Sequence, residues 1–213
     1  MNYSKTIREY CLKNPGMVFD MSYERKNHFE MVPYKTFCKI LSRLEEEGIL
    51  KTYSKGVYLI NSDNETEDPI IAFYANGCSG MVVGYKMYND LGITSYTEKP
   101  IVIYTRAMDT TTKNIGDDYK LVLFDMFMDE STKKLIVCLE LIENRNNIIG
   151  LDLFKMNEVI IEYAKSYSNM ALEDILKCHK YQYSTIVTLD ECLKNLKIKN
   201  RAIDIAIKCR YGE

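Results

Sequence analysis

Six residues at helical spacing carry side chains suited to a polyanion: Tyr34, Lys35, Thr36, Lys39, Ser42 and Arg43. Lys35 and Lys39 stand four apart, so on a helix their ammonium groups share one face. Lysine and arginine neutralise phosphates and donate to base edges, and Tyr, Thr and Ser hydroxyls supplement them. Lys51, Tyr53 and Lys55 follow on a short β-prone stretch and add a second point of contact. The chemistry this set suits is binding of double-stranded DNA.

The elements needed to position them are legible around them. Phe37, Ile40, Leu41 and Leu44 recur at spacings of three, one and three, which puts them on the opposite, buried face of one helix. Pro33 suits the first turn, where its missing N–H removes no internal hydrogen bond. Gly48 can take the left-handed conformation that ends a helix. Residues 49–54 and 57–61 are β-prone runs joined by Lys55-Gly56, which is expected to form a tight hairpin turn. Upstream, residues 2–13 are patterned as a helix, stopped at Asn14-Pro15-Gly16. Met17, Val18 and Phe19 form a short apolar segment suited to pairing with the hairpin or plugging the core. Asp20 or Ser22 can cap a second helix running to about Phe29. Helix, short strand, helix, helix, hairpin is the order of a winged helix-turn-helix, with residues 32–60 as recognition helix and wing.

Charge and length agree with a small DNA-binding module on a larger body. Residues 1–61 hold ten Lys/Arg against seven Asp/Glu, a balance of +3, and residues 62–213 hold eighteen against twenty-three, a balance of −5. Residues 62–68 (SDNETED) are polar and acidic before Pro69, and read as a linker between domains at 1–61 and 69–213. With 46% hydrophobic and 27% charged residues, the chain can bury an ordinary core. No apolar run approaches bilayer-spanning length and the N-terminus lacks a signal-peptide core. The seven cysteines are odd in number, scattered and without a C-x-x-C pair. That is the pattern of free thiols, and a cytoplasmic location is expected.

The second part reads as helix 70–76, a helix from about 79 to 91, a strand at 100–105, a loop at 109–118, and strands near 119–125 and 135–141. Helices near 152–163, 171–179, 188–196 and 201–209 complete it. The expected fold class is α+β: an N-terminal winged helix-turn-helix, then a mixed α/β domain ending in a run of helices.

Catalytic chemistry is not expected, nor a metal or cofactor. His28 and His179 are far apart and neither has a partner at ligand spacing. Cys178-His179 would diverge on a helix. Gly80 to Lys86 has three residues between its glycines and no Ser or Thr after the lysine, so it is not a phosphate loop. Asp125, Asp129 and Glu130, with Glu140 and Glu143, form the best acidic cluster for Mg²⁺, but acids beside strand ends are more often solvated. The seventeen tyrosines read as scattered core-edge residues.

Several of these segments also carry a family likeness. Pro15-Gly16-Met17-Val18-Phe19, Val32-Pro33-Tyr34-Lys35-Thr36, Leu41-Ser42-Arg43-Leu44, Glu47-Gly48-Ile49 and Lys55-Gly56-Val57-Tyr58 resemble the winged-helix half of AbiEi-like antitoxins of type IV toxin–antitoxin (abortive infection) systems. Residues 84–94 resemble the start of their second domain, and 100–105 the strand that follows, with Thr105-Arg106 where the pattern has Thr-Asn. The resemblance covers roughly residues 1–125. It implies a repressor that binds its own operator and counters a nucleotidyltransferase-like toxin. A winged-helix regulator with a small-molecule sensing C-terminal domain is the alternative.

Overall fold

The computed structural model describes residues 2–62 and 68–212. Its first helix, α1 (Tyr3–Lys13), starts where the Asn2 side chain accepts the Lys5 N–H, and it buries Ile7 and Cys11. β1 (Val18–Asp20), α2 (Met21–Asn27) and α3 (Tyr34–Glu46) follow, then β2 (Leu50–Ser54) and β3 (Val57–Ile60). β3 is central in a three-stranded antiparallel sheet, with Val18 of β1 opposite Leu59 and Leu50 of β2 opposite Ile60. The apolar segment before α2 thus both pairs with the hairpin and supplies Phe19 to the core. Phe19, Phe29 and Phe37 meet at centroid distances of 6.2 and 5.8 Å, and Ile7, Leu41, Leu44 and Leu50 close around them.

The second half pairs a mixed sheet with helices. α4 (Pro69–Tyr74) is capped by Asp68, whose carboxylate accepts the Ile70 and Ile71 N–H groups at 3.1 and 3.0 Å. β4 (Gly80–Val83), α5 (Tyr85–Asp90), β5 (Ile101–Thr105), β6 (Thr112–Ile115) and β7 (Tyr119–Leu123) come next, with sheet order β4-β5-β7-β6. β5 and β7 run parallel and the other pairs antiparallel. α6 (Glu130–Asn144), α7 (Leu153–Ala164), α8 (Asn169–Cys178), α9 (Tyr183–Asn195) and α10 (Ala202–Tyr211) then form a bundle built on α6. Helix and sheet are both present in quantity, as an α+β class requires. Among the described residues no helix is long and apolar enough to cross a membrane. All seven cysteines are free thiols.

Three expectations for this half are corrected. The run at 135–141 is the middle of helix α6, not a strand. Leu135, Ile136, Val137, Cys138, Leu139, Leu141 and Ile142 are buried on every side, because α6 is wrapped by other helices and no polar face is left to mark the period. Residues 80–83 are strand β4, not the start of a helix. Gly80 is needed there, since a Cβ would stand 2.1 Å from the Tyr74 carbonyl oxygen and 2.5 Å from that of Tyr104. The loop expected at 109–118 contains β6, whose mostly polar TKNI forms the sheet edge and turns back through Gly116.

Side chains along β5 and β7 alternate between two cores, as strand geometry dictates. Tyr104 and Val122 face the helices around α6, while Ile103 and Leu121 face α4 and the N-terminal module. Val18 of β1 and Val57 of β3, 1% and 0% exposed, belong to that second cluster. The N-terminal module therefore covers one face of the second half's sheet. Residues 63–67, most of the expected linker, lie outside the described residues, but the parts on either side of them share a core.

One polar hub sits in this junction. Asp20, 1% exposed, caps α2 through the Ser22 and Tyr23 N–H groups. Its Oδ2 accepts from Lys113 Nζ of β6 at 2.6 Å and from the Tyr74 hydroxyl of α4. Burial alone would raise the Asp20 pKa. The Lys113 ammonium, helped by the Tyr74 and Ser22 hydroxyls, outweighs that and holds it below the usual carboxylate value.

Candidate nucleic-acid interface

Helix α3 rests on an apolar stripe of Phe37, Ile40, Leu41 and Leu44, each at most 4% exposed. Pro33 precedes its first turn and its carbonyl accepts the Phe37 N–H at 2.9 Å. At the other end Gly48, at φ 72°, lets its own N–H reach Glu45 O and the Ile49 N–H reach Leu44 O, both at 2.9 Å. With those ends fixed, Tyr34, Lys35, Thr36, Lys39, Ser42 and Arg43 are all solvent-exposed. Lys51, Tyr53 and Lys55 of the hairpin are exposed as well.

The cations among them are uncommitted. Among the described residues Lys35, Lys39, Arg43, Lys51 and Lys55 make no ion pair, whereas Arg8 is spent on Glu47 and Lys113 on Asp20. Tyr34 lies under the Arg25 guanidinium of α2, 5.7 Å from its ring centroid, which adds Arg25 to the edge of the face. Ser42 donates to the Cys38 carbonyl at 3.2 Å. Glu45 accepts from the Thr52 N–H at 3.3 Å and hydroxyl at 2.5 Å, and so joins the end of α3 to β2.

The hairpin departs from a freely projecting wing. Gly56 O accepts the Met21 N–H at 2.9 Å, which ties the turn to the start of α2. The Tyr53 ring lies 6.3 Å from that of Tyr119, whose hydroxyl donates to Asp68 at 2.8 Å. Tyr53 thus leans toward the second sheet, and Lys51 and Lys55 are the hairpin's exposed cations.

Elsewhere, the residues weighed for catalysis are scattered or structural. Lys86 pairs with Asp90 at 2.5 Å on α5, and Asp129 caps α6 by accepting the Thr132 N–H at 2.7 Å. Among the described residues no group of three or more His, Cys, Asp or Glu is arranged to hold a metal ion. His179 stacks among Tyr104, Phe124 and Tyr181, with burial lowering its pKa.

Glu140 is not the solvated acid expected. It is 6% exposed, its Oε1 accepting from the Tyr104 and Tyr181 hydroxyls at 2.9 and 2.8 Å. Burial raises its pKa against the opposing pull of those two hydroxyls. This convergence of tyrosines was invisible in the sequence, because residues 88, 104, 140 and 181 come from four separate segments.

No protein-family model matches the chain, and no curated protein matches it. Among solved structures it is similar to the crystal structure of the RV2827C protein from Mycobacterium tuberculosis, at 12% identity and a TM-score of 0.42, over 98% of this chain and 82% of that one.

Proposed function

We propose that this chain is a DNA-binding transcriptional repressor whose residues 1–61 act as a winged helix-turn-helix and whose residues 69–213 form the regulatory domain. The observation that carries the reading is the exposed face of α3, where Lys35, Lys39 and Arg43 stand over an apolar back with no ion pair among the described residues. Unpaired cations at one face of a helix are what phosphate and base contacts require. The family resemblance extends the proposal. The repressor acts on its own operator in the cytoplasm, as the antitoxin that counters a nucleotidyltransferase-like toxin.

Lys35, in the first turn of α3, is the residue placed to read a base. Lys35→Ala is expected to cost about 1–3 kcal/mol of operator affinity and to relax preference at one position. Binding isotherms on the operator and on shuffled DNA check this. An equal loss on both would demote Lys35 to a phosphate contact, and no loss would remove it from the interface.

Lys55, at the hairpin turn, is expected to touch only backbone. Lys55→Ala should weaken all DNA alike and flatten the slope of log affinity against log salt by about one unit, one phosphate contact's worth. An unchanged slope would put Lys55 off the DNA. The antitoxin role is tested separately, by whether co-expression of the chain restores growth to cells producing the neighbouring toxin.

A further inference from the structure

A pocket of about 200 Å³ lies between the end of β4, α5, β5 and the last turn of α6. The residues that line it include Val83, Val102, Tyr85, Tyr88, Glu140 and Asn144. No lysine or arginine lines it. Glu140 is unevenly satisfied: Oε1 takes two tyrosine hydroxyls, whereas Oε2 has, among the described residues, only the Asn144 amide, at 3.4 Å. A second carboxylate, Glu143, lies one turn along α6 and adds to the negative potential at Glu140.

We infer that this pocket binds a small primary ammonium cation, its N–H groups satisfying Glu140 and its carbon chain lying among Tyr85, Tyr88, Val83 and Val102. The charge argument is one of compensation. A buried carboxylate with one oxygen held by a single long hydrogen bond, in a wall without a base, favours a donor that brings positive charge and excludes an anion. Tyrosine faces favour the same charge. Size narrows the class further, because pockets for drug-sized ligands measure about 300–1,000 Å³ and this one is smaller. The inference stands apart from the DNA-binding proposal, since no residue of α3 or the hairpin takes part.

The test is isothermal titration of the full chain with n-butylammonium chloride at millimolar concentrations, with 1-butanol and sodium butyrate as neutral and anionic counterparts. Saturable binding of butylammonium is expected, with both counterparts weaker by about tenfold or more. Glu140→Gln should abolish it while near-ultraviolet circular dichroism stays unchanged. Should that variant not fold, Val102→Phe, which fills the pocket from a half-buried wall, should abolish binding in its place. Absence of butylammonium binding, equal binding of butyrate, or undiminished binding by the folded variant would each overturn the inference.

Discussion

Asp20→Ala is expected to lower the unfolding free energy by about 3–5 kcal/mol, the cost of breaking a buried ion pair from one side. Three losses coincide in it. The Lys113 ammonium, only 20% exposed, keeps its charge without its carboxylate. The Tyr74 hydroxyl, on a residue 0% exposed, loses its acceptor. The first N–H groups of α2 lose their cap, worth about 1 kcal/mol alone. Urea unfolding followed by circular dichroism reads the change. Asp20→Asn combined with Lys113→Met keeps a capping side chain and removes both charges, so it should recover part of the loss. A drop below about 1 kcal/mol in Asp20→Ala would show that the hub is not holding the two halves together.

Glu24 makes the stability depend on pH in the opposite sense to Asp20. It is 2% exposed on α2, with Oε2 3.8 Å from His28 Nε2 and no hydrogen bond to that oxygen. Burial pushes its pKa from 4.5 up to about 7, with the Asp20 charge adding to the rise and the Tyr10 hydroxyl opposing it. The folded chain therefore holds this proton more tightly than the unfolded chain. The stability it contributes is full below pH 4.5 and is lost as pH rises through 7, for a total of about 3 kcal/mol. Asp20, with its lowered pKa, contributes stability above 3.8 that is lost as pH falls through its folded value. These two groups together favour mildly acidic solution. Urea titrations at pH 5 and pH 8 should find the wild type weaker at the higher pH, and Glu24→Gln should be nearly level between them and more stable than wild type at pH 8. A Glu24→Gln chain that loses stability at pH 8 would sink this account.

What the sequence made legible was whatever period and punctuation encode. The stripe Phe37, Ile40, Leu41, Leu44, closed by Gly48, places α3 and by exclusion its exposed cations. The Lys55-Gly56 turn places the hairpin. Period fails where an element has no wet side, as at Leu135 to Ile142 in α6. It also misleads where a strand and a helix abut, since Val83, Met87 and Leu91 keep a four-residue spacing across the β4–α5 junction. β6 leaves almost no trace, because TKNI, at a sheet edge, carries almost no apolar signal. The hub and the tyrosine cluster lie beyond any local reading: Asp20 and Lys113 are 93 residues apart, and nothing near either names the other. The tilt of Tyr53 toward Tyr119 belongs to the same class, a long-range contact that a local pattern of exposed polar residues does not encode.

The sharing of the junction core has a consequence in time. Val18, Asp20 and Val57 are made before the strand that covers them is complete, at Leu123. At about 5–20 residues per second, the ribosome takes several seconds to bring that strand out after the hairpin. The module can assemble its own aromatic core during that interval, because Phe19, Phe29 and Phe37 all precede residue 61. The outer face of its sheet meanwhile stays wet, with an unneutralised aspartate beside two valines. The order of synthesis thus leaves each new chain with the cationic face of α3 formed first and an apolar side awaiting its cover. Chains interrupted between residues 61 and 123 are the ones that present that side to their neighbours.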